Sequence, residues 1–227
     1  MTKHALVGAG EYLPQMESVD LELLKRLGKT AKVVCIPAGA GTEGAARIAY
    51  WSDLGVKHFT KLGVDVKAVQ VIDRATAEDS TLADQIAEAN FVYFSGGKPS
   101  YLYDSLKDTL AWQAVETVLE NDGIVAGCSA GAMIQGSKIM GMPSLGDGFG
   151  LLPNSVILPH FDEYPGFVSR ASRLISGTNI ITYGIDGMTA LYRDGDKLEV
   201  IGSGGVTMIT KDGRERYTHG EFLPELI

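Results

Sequence analysis

The chain is poor in the features that mark several classes of protein. Only two of its 227 residues are cysteines, so it has neither a disulfide framework nor the cysteine spacing of a zinc site. Lysine and arginine (20) are outnumbered by aspartate and glutamate (28), and the net charge of −8 argues against a nucleic-acid-binding surface. No apolar run reaches the length of about 18 residues that a membrane span needs, and the N-terminus lacks the apolar core of a signal peptide. We therefore expect a cytoplasmic protein that binds neither nucleic acid nor membrane.

The chain does contain enough apolar residues for one well-buried domain, which we expect to span residues 1–227. Hydrophobic residues make up 45% of it, and its mean hydropathy is +0.06. Short β-branched runs predict strands at 4–9, 32–37, 66–72, 90–95 and 123–127. Helical patterns lie between them, at about 18–27, 43–62, 77–88 and 108–121.

Several of these strands are apolar throughout, which is typical of parallel strands covered on both faces. With the alternation of strand and helix, this predicts an α/β fold with a doubly wound, mostly parallel sheet. After residue 178 the pattern changes to a C-terminal antiparallel β meander that closes one edge. Its strands are predicted at 179–184, 188–193, 196–201 and 205–210.

The segment Gly127-Cys-Ser-Ala-Gly131 lies between the strand at 123–127 and a run of small residues. A serine at the centre of G-x-S-x-G between a strand and a helix is the pattern of a nucleophile elbow, which exposes the serine oxygen at the carboxyl edge of a sheet. The alternative is a serine that only caps the following helix. A free serine is a poor nucleophile, so the catalytic interpretation requires a base and an orienting acid.

The best candidate for the base is His160, one of four histidines in the chain. It ends the apolar run 156–159, and the ends of parallel strands gather at the edge where the elbow would lie. His4 falls in the first strand, His58 in a predicted helix and His219 in the polar tail. The alternative is that His160 is a structural histidine.

The orienting acid is less defined. In elbow hydrolases the chain order is serine, acid, histidine, and Asp147 is the only carboxylate between Ser129 and His160. Glycines flank Asp147, so it also fits a turn aspartate. Asp162 and Asp186 are the other candidates.

Two glycine-rich segments follow predicted strands. Gly96 and Gly97, after the strand at 90–95, allow close backbone approach, and one of their N–H groups would supply a second oxyanion donor. The segment 39–44 matches G-x-G-x-x-G, the fingerprint of a dinucleotide site. The fingerprint needs an acidic residue about 20 positions later to bind the ribose. The acid there, Asp65, precedes its strand instead of ending it, so a dinucleotide site is less favoured than a catalytic serine.

Arg170 and Arg173 lie on a predicted helix that begins near Pro165. Either arginine would hold a substrate carboxylate by bidentate pairing, and the alternative is a solvated helix face. Cys128, beside the nucleophile position, fits a buried inert thiol.

Taken together, these segments resemble the serine peptidases of the dipeptidase E and cyanophycinase group, peptidase family S51. Its members share a class I glutamine amidotransferase-like fold. The segments that carry the resemblance are 7–11, 94–97, 126–133, 158–161, 169–173 and 184–191. The resemblance implies Ser129 as nucleophile and His160 as base, with the oxyanion held by the N–H groups of Gly97 and Ala130. It also implies that Arg170 recognises the side chain of an N-terminal aspartate.

Three positions depart from the family pattern. Asp147 lies farther from the serine than the acid of dipeptidase E-like members. Lys98 stands where relatives commonly have asparagine, and Gly187 stands where cyanophycinase-like relatives often have glutamate. Lys98 beside the pocket would favour an acidic substrate group.

We therefore predict a serine exopeptidase or dipeptidase that cleaves aspartyl or β-aspartyl bonds. Its catalytic residues would be Ser129, His160 and Asp147, and its substrate-binding residues Arg170, Lys98 and Gly96. The expected partner is a small peptide with an acidic N-terminal residue; the mechanism needs no metal or cofactor, and a homodimer is left open. The first alternative is a non-catalytic binding or regulatory member of the same fold, and the second is a nucleotide-binding domain.

Overall fold

Two β-sheets and seven α-helices make up the part of the chain that the computed structural model describes, residues 2–141, 144–164 and 178–224. The larger sheet has eight strands in the order β14-β11-β10-β1-β5-β4-β2-β3. Its five parallel strands are β1 (Lys3–Val7), β2 (Lys32–Ile36), β3 (Asp65–Ala68), β4 (Phe91–Phe94) and β5 (Ile124–Cys128). Its antiparallel extension is β10 (Thr189–Asp194), β11 (Lys197–Gly202) and β14 (Phe222–Leu223).

The smaller sheet has six strands in the order β13-β12-β9-β8-β6-β7. Its members are β6 (Gly136–Met140), β7 (Leu145–Asp147), β8 (Leu152–Leu158), β9 (Ile181–Ile185), β12 (Gly205–Thr210) and β13 (Gly213–Thr218). Strands β6, β8 and β9 are parallel to one another, and the remaining pairs are antiparallel.

Several of the helices have start or stop signals in the sequence. The helices are α1 (Glu17–Leu27), α2 (Ala45–Lys61), α3 (Arg74–Ala77), α4 (Ser80–Ala87), α5 (Pro99–Leu106), α6 (Leu110–Glu120) and α7 (Ala130–Met133). The side chains of Asp73, Asp79 and Thr109 accept hydrogen bonds from backbone N–H groups at the starts of α3, α4 and α6. Gly28 ends α1 in the left-handed conformation, with φ of 70°. None of these helices has the length and hydropathy that crossing a bilayer would require.

Strand β4 shows why the large sheet needs helices on both faces. All four of its residues are fully buried. Phe91 and Tyr93 pack with the side chains of α1 and α2, whereas Val92 and Phe94 pack with those of α4 and α6. Because successive strand residues point to opposite faces, a strand with no polar residue must be covered on both sides.

The structure confirms the predicted α/β class, with its large, mostly parallel sheet and antiparallel C-terminal strands. The C-terminal strands do not form one meander, however. Strands β10 and β11 extend the large sheet, whereas β9 and β12 join the smaller one. Strands β6, β7, β13 and β14 were not predicted. The predicted helix at 77–88 corresponds to α4 (Ser80–Ala87), and the short helix α3, which ends at Ala77, was not predicted. The helix predicted near Pro165 lies outside the described residues.

Candidate active site

Ser129 lies in a sharp turn at the carboxyl end of β5, immediately before α7. Its backbone has φ of 52° and ψ of −110°, a conformation that is strained for a residue with a side chain. The turn is held because the N–H of Ser129 donates to the carbonyl of Val7 at 3.0 Å and its carbonyl accepts from the N–H of Ala132 at 3.0 Å. The serine therefore occupies a strained turn that connects β5 directly to α7.

The two glycines that flank this serine are explained by backbone crowding. A Cβ on Gly127 would lie 2.3 Å from the carbonyl oxygen of Gly131. A Cβ on Gly131 would lie 2.5 Å from the carbonyl oxygen of Phe94 in β4. Both distances are far below van der Waals contact and both obstacles are backbone, so neither position accepts a side chain without moving the strands.

His160 follows β8 and also has a positive φ, 51°. Its Nδ1 lies 3.3 Å from Oε2 of Glu163, three residues later in the same turn. The contact is partly solvated, with 33% of the histidine side chain and 54% of the glutamate side chain exposed. Because Nδ1 faces the carboxylate, Nε2 is the ring nitrogen left to take a proton from a substrate or nucleophile.

Ser129 and His160 line the same pocket, which has a volume of about 350 Å³. No hydrogen bond joins Ser129 Oγ to the imidazole within the described residues. Catalytic hydrogen bonds are often long or unformed before substrate binds. The fold thus brings the predicted nucleophile and base to one cavity.

The structure does not bring Asp147 to this pocket. Asp147 lies on β7, where its carboxylate accepts a hydrogen bond from Lys138 Nζ at 2.6 Å, and that contact lowers its pKa. The two other predicted acids are also engaged elsewhere. Asp162 accepts from the N–H of Gly187 at 2.9 Å, and Asp186 binds Arg216 and the N–H of Gly205. Glu163, which the sequence analysis did not consider as the acid, is the carboxylate in contact with His160.

The predicted oxyanion donors lie beside the serine. Gly97 follows β4 with φ of 137°, and Ala130 is the first residue of α7. Neither backbone N–H donates to a backbone carbonyl within the described residues. Gly96 and Gly97 line the pocket with Ser129, so an N–H that points into it would meet an oxyanion formed there.

One face of α2 forms a wall of the pocket. Arg47, Tyr50, Trp51 and Leu54 share this face because they are spaced three and four residues apart. The guanidinium carbon of Arg47 lies 4.9 Å from the ring centre of Tyr50 and 4.8 Å from that of Trp51. Its Nε lies 3.3 Å from Glu43. This wall was not predicted from the sequence, although the spacing of its residues is that of one helix face.

The predicted substrate-binding residues are only partly in place. Gly96 lines the pocket, but Lys98 is exposed at the start of α5 and is not among the lining residues. Arg170 lies outside the described residues, as does Arg173. Arg47 is therefore the arginine that the described structure places at the pocket.

Glu11 is a buried carboxyl group in the same pocket, and the sequence analysis assigned it no role. Its residue is 7% exposed, and Oε2 accepts a hydrogen bond from the N–H of Gly96 at 2.8 Å. Burial raises the pKa of Glu11 to about 7, although the Gly96 N–H acts to lower it. Burial also raises the pKa of the neighbouring Cys128 thiol well above its usual range, which fits the inert thiol predicted at that position.

Gly39, the first glycine of the segment 39–44, has a packing role. A Cβ on Gly39 would lie 2.2 Å from the carbonyl oxygen of Gly96, and one on Gly97 would lie 2.1 Å from the carbonyl oxygen of Gly39. The Gly39 carbonyl also accepts from the N–H of Lys98 at 3.1 Å. The first glycine of the G-x-G-x-x-G match therefore supports the turn beside Ser129, which accounts for it without a dinucleotide. Within the described residues no group of three or more His, Cys, Asp and Glu side chains is placed to hold a metal ion.

Comparison with known proteins shows where this chain belongs. The profile of the family described as "Peptidase family S51" matches residues 5–201. A cyanophycinase from Geminocystis herdmanii (strain PCC 6308) is 25% identical over 225 residues, which cover 90% of this chain and 80% of that protein. A cyanophycinase from Synechococcus elongatus is 27% identical over 221 residues, which cover 89% of this chain and 66% of that protein.

Solved structures agree with these sequence matches. The crystal structure of a peptidase from an acI-B1 Actinobacterium superposes with a TM-score of 0.89 at 31% sequence identity, covering 98% of this chain and 96% of that one. A putative peptidase E from Listeria monocytogenes EGD-e superposes with a TM-score of 0.66 at 19% identity, covering 90% of this chain and 100% of that one. The second likeness is one of fold.

Proposed function

Because the chain belongs to peptidase family S51, as the match over residues 5–201 shows, we propose that it is a serine peptidase that cleaves amide bonds through an acyl-enzyme. Membership of this family supports a serine peptidase. The observation that carries it is the strained turn of Ser129, which lines one pocket together with His160. Strain at a non-glycine residue is typical of functional sites.

In the proposed reaction Ser129 Oγ attacks the carbonyl carbon of the scissile bond while His160 Nε2 takes the hydroxyl proton. The carbonyl oxygen becomes an oxyanion, which accepts hydrogen bonds from the N–H groups of Gly97 and Ala130. Collapse of the tetrahedral intermediate breaks the C–N bond, and the leaving amine takes the proton from His160. A water molecule, deprotonated by His160, then attacks the ester, releasing the carboxylic acid and restoring the Ser129 hydroxyl.

We assign the orienting role to Glu163 in place of Asp147. Its carboxylate accepts a hydrogen bond from the Nδ1–H of His160, which fixes the tautomer with a free Nε2 and stabilises the imidazolium formed during attack. Glu163 reaches His160 because both lie in one turn, in which the N–H of Glu163 donates to the carbonyl of His160 at 3.0 Å. Asp147, with its ion pair to Lys138, has no such contact.

For the substrate we propose a short peptide with an acidic group next to the scissile bond, an aspartyl or β-aspartyl peptide. Arg47 supports this choice because its planar guanidinium, stacked on two aromatic rings in the pocket wall, suits a bidentate carboxylate. Its contact with Glu43 is partly exposed, at 47% and 36% of the two side chains, so an incoming carboxylate replaces a weak pair.

A fluorophosphonate probe followed by peptide mapping tests the nucleophile. We expect covalent label on Ser129 in the folded protein, no label in Ser129→Ala, and slow labelling in His160→Ala. Hydrolysis of aspartyl, β-aspartyl and alanyl dipeptides by the wild type and by Ser129→Ala then tests the substrate class. If folded wild-type protein takes up no label, the chain is a non-catalytic member of the family and the mechanism above is wrong.

A further inference from the structure

Glu11 connects two loops that lie on opposite sides of Ser129. Its own loop follows β1, and its hydrogen-bond partner Gly96 lies in the loop after β4. In the sheet β5 lies between these two strands, so the contact spans the strand that carries the serine. The two residues are 85 positions apart in sequence, and only the strand order brings them together.

The contact is also close to the nucleophile. An ideal Cβ on Gly96 would lie 3.3 Å from Ser129 Cβ and 3.5 Å from Glu11 Oε2. Gly96 is therefore bordered by the serine and the carboxyl group together. The second oxygen of Glu11, Oε1, is buried and has no hydrogen-bond partner within the described residues.

The residues on either side of Gly97, Gly96 and Lys98, both donate their backbone N–H groups in hydrogen bonds. The N–H of Gly96 donates to Glu11, and the N–H of Lys98 donates to the Gly39 carbonyl. Gly97 itself has φ of 137° and no side chain to fix its orientation, so the direction of its N–H depends on these two flanking contacts.

We propose that Glu11 is a positioning residue whose hydrogen bond to the Gly96 N–H aims the Gly97 N–H at the oxyanion. This rests on the acyl-transfer function proposed above. The burial of Glu11 supports the assignment. A carboxyl group that is buried without a direct cationic partner has a raised pKa, about 7 here, and is costly to keep ionised. Such groups cluster at functional sites.

The test compares Glu11→Ala, which removes the acceptor, with Glu11→Gln, whose amide oxygen still accepts from the Gly96 N–H. Glu120→Ala, an exposed glutamate at the end of α6, is the matched control. Two quantities are measured on each folded variant. The first is hydrogen–deuterium exchange of the peptide that contains residues 95–98. The second is labelling of Ser129 by a fluorophosphonate, resolved into the rate constant kinact and the binding constant KI.

In Glu11→Ala we expect faster exchange of this peptide and a kinact about 100-fold lower, the loss typical of one oxyanion donor. KI should change by less than about twofold, because the donor acts on the transition state and not on binding. Glu11→Gln should restore both the exchange and kinact, and Glu120→Ala should alter neither.

Unchanged exchange in Glu11→Ala, or a kinact within about twofold of the wild type, would overturn the proposal. Equal losses in Glu11→Ala and Glu11→Gln would also contradict it, since the glutamine keeps the acceptor. The exchange measurement does not depend on catalysis. If the wild type takes up no label, the proposed function fails, while the exchange data still decide whether Glu11 holds the turn.

Discussion

Replacing Glu11 by glutamine should make the stability of the protein less dependent on pH. In the folded chain burial raises the pKa of Glu11 from its usual 4.5 to about 7. Between these two values the folded state keeps a proton that the unfolded state has lost. The free energy of unfolding of the wild type therefore falls as pH rises from about 4.5 to about 7, and this contribution is constant above that range.

The size of the effect follows from the shift. Each pKa unit corresponds to about 1.4 kcal/mol, so the shift of Glu11 corresponds to about 3 kcal/mol. Glutamine has the same shape and does not ionise. The difference in the free energy of unfolding between Glu11→Gln and the wild type should therefore grow by about 3 kcal/mol in favour of the variant as the pH rises from 4.5 to 8.

Urea unfolding followed by circular dichroism, repeated at half-unit steps from pH 4.5 to 8.5, measures this difference. Every other titrating group is common to both proteins and cancels in the comparison. Glu120→Gln, which removes an exposed carboxylate from α6, controls for the change in net charge. A difference between Glu11→Gln and wild type that stays constant within about 0.5 kcal/mol would refute the reasoning, because Glu11 would then ionise as freely in the folded state as in the unfolded one.

Three further predictions concern the site. Glu163→Gln should lower kcat by about 100-fold, because the wrong tautomer of His160 is then favoured, whereas Asp147→Asn should leave kcat within about twofold. Steady-state kinetics of the two variants decide between the two acids. A large loss in Asp147→Asn with none in Glu163→Gln would return the orienting role to Asp147. Gly131→Ala should destabilise the fold by about 1–3 kcal/mol, because its Cβ would lie 2.5 Å from the Phe94 carbonyl oxygen; urea unfolding checks this, and unchanged stability would contradict the crowding. Arg47→Ala should raise KM for aspartyl dipeptides about tenfold with no comparable change for alanyl dipeptides; equal effects on both would argue against carboxylate recognition.

Local sequence predicted the parts of the fold that depend on local interactions. Strand β4 was predicted from its uninterrupted apolar run, and α6 from its helical pattern within one or two residues at each end. Boundaries were less accurate where a cap interrupts the pattern. The helix predicted at 77–88 begins at Ser80, because the side chain of Asp79 caps it by accepting hydrogen bonds from the N–H groups of Thr81 and Leu82.

The division of the C-terminal strands between two sheets could not be predicted from local sequence patterns. Strands β9, β10, β11 and β12 follow one another in sequence with similar apolar character. The pairings that assign them to different sheets join more distant parts of the chain: β10 pairs with β1, and β9 pairs with β8. Hydrophobic periodicity shows which face of a strand is buried but not which neighbour it pairs with.

The sequence by itself determined the turn at Ser129, because G-x-S-x-G between a strand and a helix is a local pattern and its glycines relieve clashes within that turn and with β4. It also placed His160 at a strand end, and the tertiary structure put that end on the same pocket. Only the tertiary structure decided which other side chains lie near these two residues. Glu163 contacts His160, whereas Asp147 lies on β7 beside Lys138, and Glu11 reaches Gly96 because β1 and β4 flank β5. Side chains that act on a site from separate strands meet through the order of the strands, which no short segment of sequence encodes.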